Sequence, residues 1–115
     1  MSTRANIKLT DEFGDTLWFY RHSDGYPEGA MPTLNKFLDY VKDGKIRDNV
    51  GQAAGWLILL GHQEYQAEGY ATPEPRGGGY GWKVGAIEPT TGEHGDIEWL
   101  YTINLKTKKI TKKHV

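Results

Sequence analysis

Residues 53–61, "AAGWLILLG", place the tightest constraint on what this chain can fold into. From 53 to 60 only Gly55 interrupts the apolar residues. Upstream, Asn49 is a good helix N-cap, and Gln52 sits three residues on, as in a capping box. Wound as a helix, the run is apolar around its whole circumference, and such a helix belongs in a core. It is far too short to span a bilayer. The expectation is a central core helix that the rest of the chain must cover, with "QEYQAEG" leading back to solvent.

The covering material reads mostly as strand. In "RANIKLT", Ala5, Ile7 and Leu9 point one way and Arg4, Asn6 and Lys8 the other, as in a half-buried strand. "DEFGD" follows with Gly14 free to take a positive φ, and then "TLWFYRH"; the two runs read as a hairpin. Its second strand is apolar or aromatic on both faces, with Leu17 and Phe19 on one and Trp18 and Tyr20 on the other. A further helix is predicted from Pro32, placed at the first helical position, with Leu34, Phe37, Leu38 and Val41 as its apolar stripe and Gly44 as its left-handed cap. The segment 71–81, "ATPEPRGGGYG", is loop by composition. "YGWKVGAIE" alternates, with Tyr80, Trp82, Val84 and Ala86 on one face; "PTTGEHG" reads as a turn. "DIEWLYTINL" alternates again through Ile97, Trp99, Tyr101, Ile103 and Leu105, and "KTKKITKKHV" closes as a short lysine-rich strand.

The order β-β-α-α-β-β-β, with strands in hairpins and helices together, predicts an α+β fold rather than a parallel α/β one. The expected architecture is two-layered: an antiparallel sheet of about five strands with the helix pair packed on one face. With 115 residues, no repeat and no internal boundary, residues 1–115 read as a single α+β domain.

Bulk properties narrow the function classes. A net charge of -1 leaves no global field to draw the chain onto nucleic acid, and it rules out a strongly acidic mimic of DNA. The absence of cysteine excludes disulfides, thiolate chemistry and cysteine-ligated zinc. No stretch resembles a signal peptide, so a cytoplasmic location is expected.

The densest group of chemically able residues is "YRHSDGYPEG", 20–29. His22 and Asp24 could orient each other as base and carboxylate with Tyr26 as a donor, which would make a small hydrolase. Ser23 cannot easily serve as nucleophile, because adjacent residues do not readily reach Ser–His geometry. Asp-Gly and Tyr-Pro are also turn chemistry, and binding side chains concentrate on loops held by a rigid scaffold. The loop is therefore read as a recognition element before a catalytic one. Three His-x-acid pairs, His22/Asp24, His62/Glu64 and His94/Asp96, could assemble a metal or phosphoesterase site if strands brought them together. Metal-binding spacings such as H-x-x-x-H are absent, and no metal or cofactor is expected.

"PRGGGYGW" lacks the G-K-[ST] of a phosphate loop, although Arg76 at its edge could meet an anion. Lys106, Lys108, Lys109, Lys112 and Lys113 read as protection of a sheet edge rather than as a nucleic-acid patch, so nucleic acid is not an expected partner. Four tryptophans and seven tyrosines are more than one sheet face buries, and Tyr, Trp and Arg are the residue types that anchor interfaces. Trp18 and Tyr20, with Trp82 or Trp99 opposite, could form an exposed aromatic surface, a two-sided core, or the contact of a homodimer joined sheet to sheet.

The loop "YRHSDGYPEG" and the late strand "DIEWLYTINLKTKKI" together resemble a set of small phage and prophage accessory proteins with an H-x-D-G-Y-P-x-G loop, a W-x-Y-x-I strand and a short lysine hairpin. The resemblance covers both ends of the chain. It brings no assigned activity, so no residue role is carried over. It implies a phage or mobile-element context, in which small proteins bind and block host machines, CRISPR effectors among them.

The expected function is thus non-catalytic binding of a host defence complex by protein–protein contact, in the manner of an anti-CRISPR protein. A nucleotide-like ligand binder, or sponge, is the alternative, with aromatic rings on the base and Arg21, Arg76 or lysines on phosphate. The candidate binding residues are Trp18, Tyr20, Arg21, His22, Asp24, Tyr26, Arg76 and Trp82.

Overall fold

The computed structural model describes residues 2–78 and 85–115. In chain order the elements are β1 (Ala5–Thr10), β2 (Thr16–Arg21), α1 (Pro27–Lys42), α2 (Val50–Ala67), β3 (Glu88–Thr90), β4 (Trp99–Asn104) and β5 (Lys109–His114). The α+β class and the element order agree with the sequence reading. Of the expected strand over 80–88, residues 80–84, with Tyr80, Trp82 and Val84, lie outside the described residues, and among the described ones β3 begins at Glu88.

The sheet runs β3-β2-β1-β4-β5, and it is mixed rather than antiparallel. β1 is antiparallel to β2 but parallel to β4, with Ala5 beside Trp99 and Leu9 beside Ile103. Parallel strands need a connection that crosses the sheet. Residues 91–98 supply it. β3 lies antiparallel to β2, hence parallel to β1, and the chain leaves it to pass over β2 and β1 before entering β4. In "PTTGEHG", Pro89 and Thr90 therefore close β3, and the rest begins a crossover rather than a hairpin turn. Local sequence could not reveal this, because glycine and threonine serve both equally well.

Side-chain alternation then divides the sheet. Ala5, Ile7, Leu9, Phe19, Tyr101 and Ile103 share the face beneath the helices, and all are buried. Trp99 shares that face, packed on the core and stacked beside Tyr101, so it does not stand opposite Trp18 and Tyr20.

α1 buries Ala30, Thr33, Leu34, Phe37, Leu38 and Val41, one stripe at three- and four-residue spacing. It begins at Pro27, five residues before the sequence reading placed it. Pro27 fits the first turn, where its missing N–H is no loss. Pro32 lies within the helix on its exposed side. At the other end, Gly44 takes φ 74° just past the Asp43 cap, as its position suggested.

α2 starts as predicted, with Asn49 accepting from the Gln52 N–H at 3.0 Å. Its buried residues, Val50, Ala53, Ala54, Leu57, Leu60, Gly61 and Tyr65, form a single stripe. The expectation of a helix buried all round is corrected: Trp56 is 47% exposed and Leu59 also faces solvent. A two-layer fold offers a helix only one covered side. Gly61 lets the chain at Ile87 pass closely, since a Cβ there would meet the Ile87 backbone nitrogen at 3.1 Å. The Ala86 N–H donates to the Gly61 carbonyl across this contact.

Asp11 joins the first hairpin to the helix layer. Its Oδ1 accepts from the N–H groups of Phe13 and Asp15, and its Oδ2 accepts from the Val50 N–H at 3.1 Å, at the first turn of α2. Asp11→Ala would leave the buried Val50 donor unmet and loosen the hairpin turn. A loss of about 1–3 kcal/mol in unfolding free energy is expected, measured by urea titration.

Candidate functional site

The 22–29 loop is set by one buried side chain. Arg21 ends β2 and is paired with Ala5, which turns it toward the helices, where it is 1% exposed. Its guanidinium meets Glu64 of α2 in a two-pronged contact, Nη1 to Oε1 at 2.9 Å and Nη2 to Oε2 at 2.6 Å. Nε donates to the carbonyls of Ser23 at 2.8 Å and Asp24 at 3.2 Å, and Nη2 donates to Gly29 at 3.3 Å. Thr33 of α1 donates to Glu64 at 2.6 Å. Burying a charge is tolerated only with such complete pairing. These contacts engage Arg21 inside the protein, so it stands beneath the loop rather than at its surface.

The remaining backbone of the loop is also held. The Tyr101 hydroxyl donates to the Gly25 carbonyl at 2.6 Å, and the Gly25 N–H donates to Thr3 at 2.9 Å. A side chain at Gly25 would meet the Thr3 carbonyl oxygen at 2.8 Å, and one at Gly29 would collide with Asp24. Asp24 takes φ 55°, a left-handed conformation that Asp accepts more readily than most residues. The Gly, Asp and Pro residues thus set the path, as their turn chemistry suggested.

The side chains fall into two groups. Asp24 receives the Tyr26 hydroxyl at 3.4 Å, and Tyr26 is the exposed N-cap of α1. His22 turns to the other side of the sheet, 62% exposed, with Nε2 3.0 Å from Glu88 of β3. The carboxylate beside His22 is thus Glu88, not Asp24.

On the face away from the helices, the crossover covers Tyr20. The His94 ring stacks on it at 4.0 Å between centroids, and His22 meets it edge-on at 4.5 Å. Its hydroxyl donates to Asp96 at 3.1–3.2 Å. Asn6 fastens the crossover from below, donating to the His94 carbonyl and accepting from its N–H. Arg4 lies 3.7 Å from Asp96. Tyr20 is in consequence only 2% exposed. Its phenol pKa is raised, first by burial and then by Asp96.

From the first and last His-x-acid motifs, His22, His94 and Asp96 therefore converge around Tyr20, while Asp24 stands apart with Tyr26. The middle motif does not join them: His62 lies near the Thr72 carbonyl, and Glu64 is the partner of Arg21. Among the described residues no three His, Asp or Glu side chains are grouped to hold a metal ion. Trp18 stays on the open face with Lys8 over its ring at 5.7 Å, Arg76 is exposed beyond α2, and Trp82 lies outside the described residues. Sequence reasoning named Glu64, His94 and Asp96 only within His-x-acid pairs, without their partners Arg21 and Tyr20, and it missed Glu88. The available signal was chemical: a buried Tyr or Arg needs partners for its donors.

No family model, curated protein or solved structure matches the chain. No described helix is long and apolar enough to cross a membrane.

Two outcomes follow for this network. Glu64→Gln or Arg21→Met should each cost about 3–5 kcal/mol by urea denaturation, because each strands a buried polar partner. Burial pushes the Tyr101 hydroxyl up to about 12. In the unfolded chain it ionises near 10, so its contribution to stability is complete below pH ~10 and lost between ~10 and ~12. Tyr101→Phe should lower stability at pH 7 and flatten its decline across that window, as read by melting temperature against pH.

Proposed function

We propose that this protein is a non-catalytic binding protein that acts by protein–protein contact, with residues 22–29 as the centre of its contact surface. One observation carries the reading. The loop backbone is fixed from inside by Arg21, Tyr101 and Thr3, while His22 and Tyr26 stand in solvent. A surface whose backbone is already ordered loses less entropy when a partner docks. Tyr is a residue type that anchors interfaces.

The arrangement favours binding over hydrolysis, because His22 is engaged with Glu88 and Tyr20 rather than oriented by Asp24 toward a nucleophile. The resemblance of the loop and the late strand to phage accessory proteins supports the biological setting. In that setting the partner is a host defence complex in the cytoplasm, and inhibition of a CRISPR effector is the concrete form.

The test is reconstitution with purified CRISPR effector complexes. A stoichiometric complex that slows target cleavage is expected. His22→Ala with Tyr26→Ala should weaken it at least tenfold while shifting the melting temperature little, since both side chains are exposed. Absence of any complex while the loop is intact would overturn the reading.

A further inference from the structure

At the opposite end of α1 the chain forms a second and chemically different concavity. The C-terminal turn of α1, the connection 43–49, the first turns of α2 and the tip of the β4–β5 hairpin line an open concavity of about 490 Å³. An adjoining cavity of about 270 Å³ shares Lys45, Ile46 and Trp56 with it and extends along Tyr40 and Leu60. The two form one cleft with a basic end and an apolar end.

The basic end carries Lys42, Lys45, Arg47 and Lys108 against a single acid, Asp48. In a chain of net charge -1 this concentration is local, not a reflection of composition. Lys108 approaches Asp48 only loosely, at 3.9 Å, and Lys45 lies over the Tyr40 ring at 5.8 Å. Among the described residues Lys42 and Arg47 have no ion-pair partner. Lys42 and Lys45 also complement the negative end of α1. Arg47 and Lys108 lie outside that helix and need a different account.

The apolar end is walled by Trp56, whose ring α2 presents outward, over the buried Ile46 and Leu60. An exposed tryptophan beside unpaired cations is costly to keep wet, and it offers a flat surface for a ring. Open clefts of this size have room for one small molecule, and an extended chain would need a longer groove.

We infer that this cleft binds a small aromatic anion, with its ring against Trp56 and its phosphate or carboxylate among Arg47, Lys42 and Lys108. A nucleoside monophosphate has the right size and charge. The site stands apart from the 22–29 loop. From Gly29 to Lys42 α1 rises over about 13 residues, roughly 20 Å at about 1.5 Å per residue. Failure of one assignment therefore leaves the other standing.

Calorimetric titration of the full chain tests this, with adenosine 5′-monophosphate, guanosine 5′-monophosphate and phenyl phosphate as probes and with adenosine and inorganic phosphate as their separated halves. Saturable binding of at least one aromatic phosphate is expected, at least tenfold tighter than either half. Trp56→Ala, and separately Arg47→Ala with Lys108→Ala, should each weaken it tenfold or more. Lys8→Ala with Lys113→Ala, on the open sheet face, should leave it unchanged. The assignment is overturned by no saturable binding of any aromatic phosphate, by equal binding of inorganic phosphate alone, or by indifference to the cleft variants. Tighter binding of an acidic peptide bearing one phenylalanine would overturn it in favour of a protein partner.

Discussion

A guanidinium with 1% exposure cannot be left without a counter-charge, and the pairing of Arg21 with Glu64 organises this molecule around that requirement. Arg21 belongs to β2, Glu64 to α2, and Thr33 brings α1 to the same carboxylate. The carbonyls of Ser23, Asp24 and Gly29 close the remaining donors. Sheet, loop and both helices therefore meet at one charged group. Such a pair has steep requirements on distance and direction, so it says more about where the parts sit than about net stability. The 22–29 loop inherits its shape from this contact.

The second organising feature is the crossover at 91–98. It makes β4 parallel to β1 and covers one end of the sheet face that the helices leave open. The double-sided aromatic character of β2 is thereby explained. Phe19 packs beneath the helices, Tyr20 packs beneath the crossover, Trp18 keeps an open face shared with Lys8, and Leu17 stays exposed near the start of the strand. The two faces of one strand meet two different covers, one apolar and one built of imidazole, carboxylate and amide.

Much of this organisation was legible from local pattern. The α+β class, the first hairpin, the Asn49 cap, the Gly44 stop and the stripe of α1 all follow from periodicity and capping chemistry, which act over a few residues. The reading of "YRHSDGYPEG" as a shaped connection rested on the same local rules. What local rules could not supply were partners far away in sequence. Asp24 looked like the carboxylate for His22, but Glu88 takes that place from 66 residues further on. Arg21 looked like a surface cation, yet the parity of β2 and the position of α2 bury it.

The run "AAGWLILLG" shows the same division most plainly. Its composition by itself determined a helix with a strongly apolar core side, because capping and burial of that many apolar residues admit little else. Which side would be covered depended on the sheet, which reaches only one flank of α2. Tertiary packing alone decided that Leu57 would be buried and Trp56, its neighbour in the chain, left at the mouth of a basic cleft. Residues of α2 advance by about 100° each, so a stripe that runs through Ala53, Leu57 and Leu60 turns Trp56 away from the one covered flank.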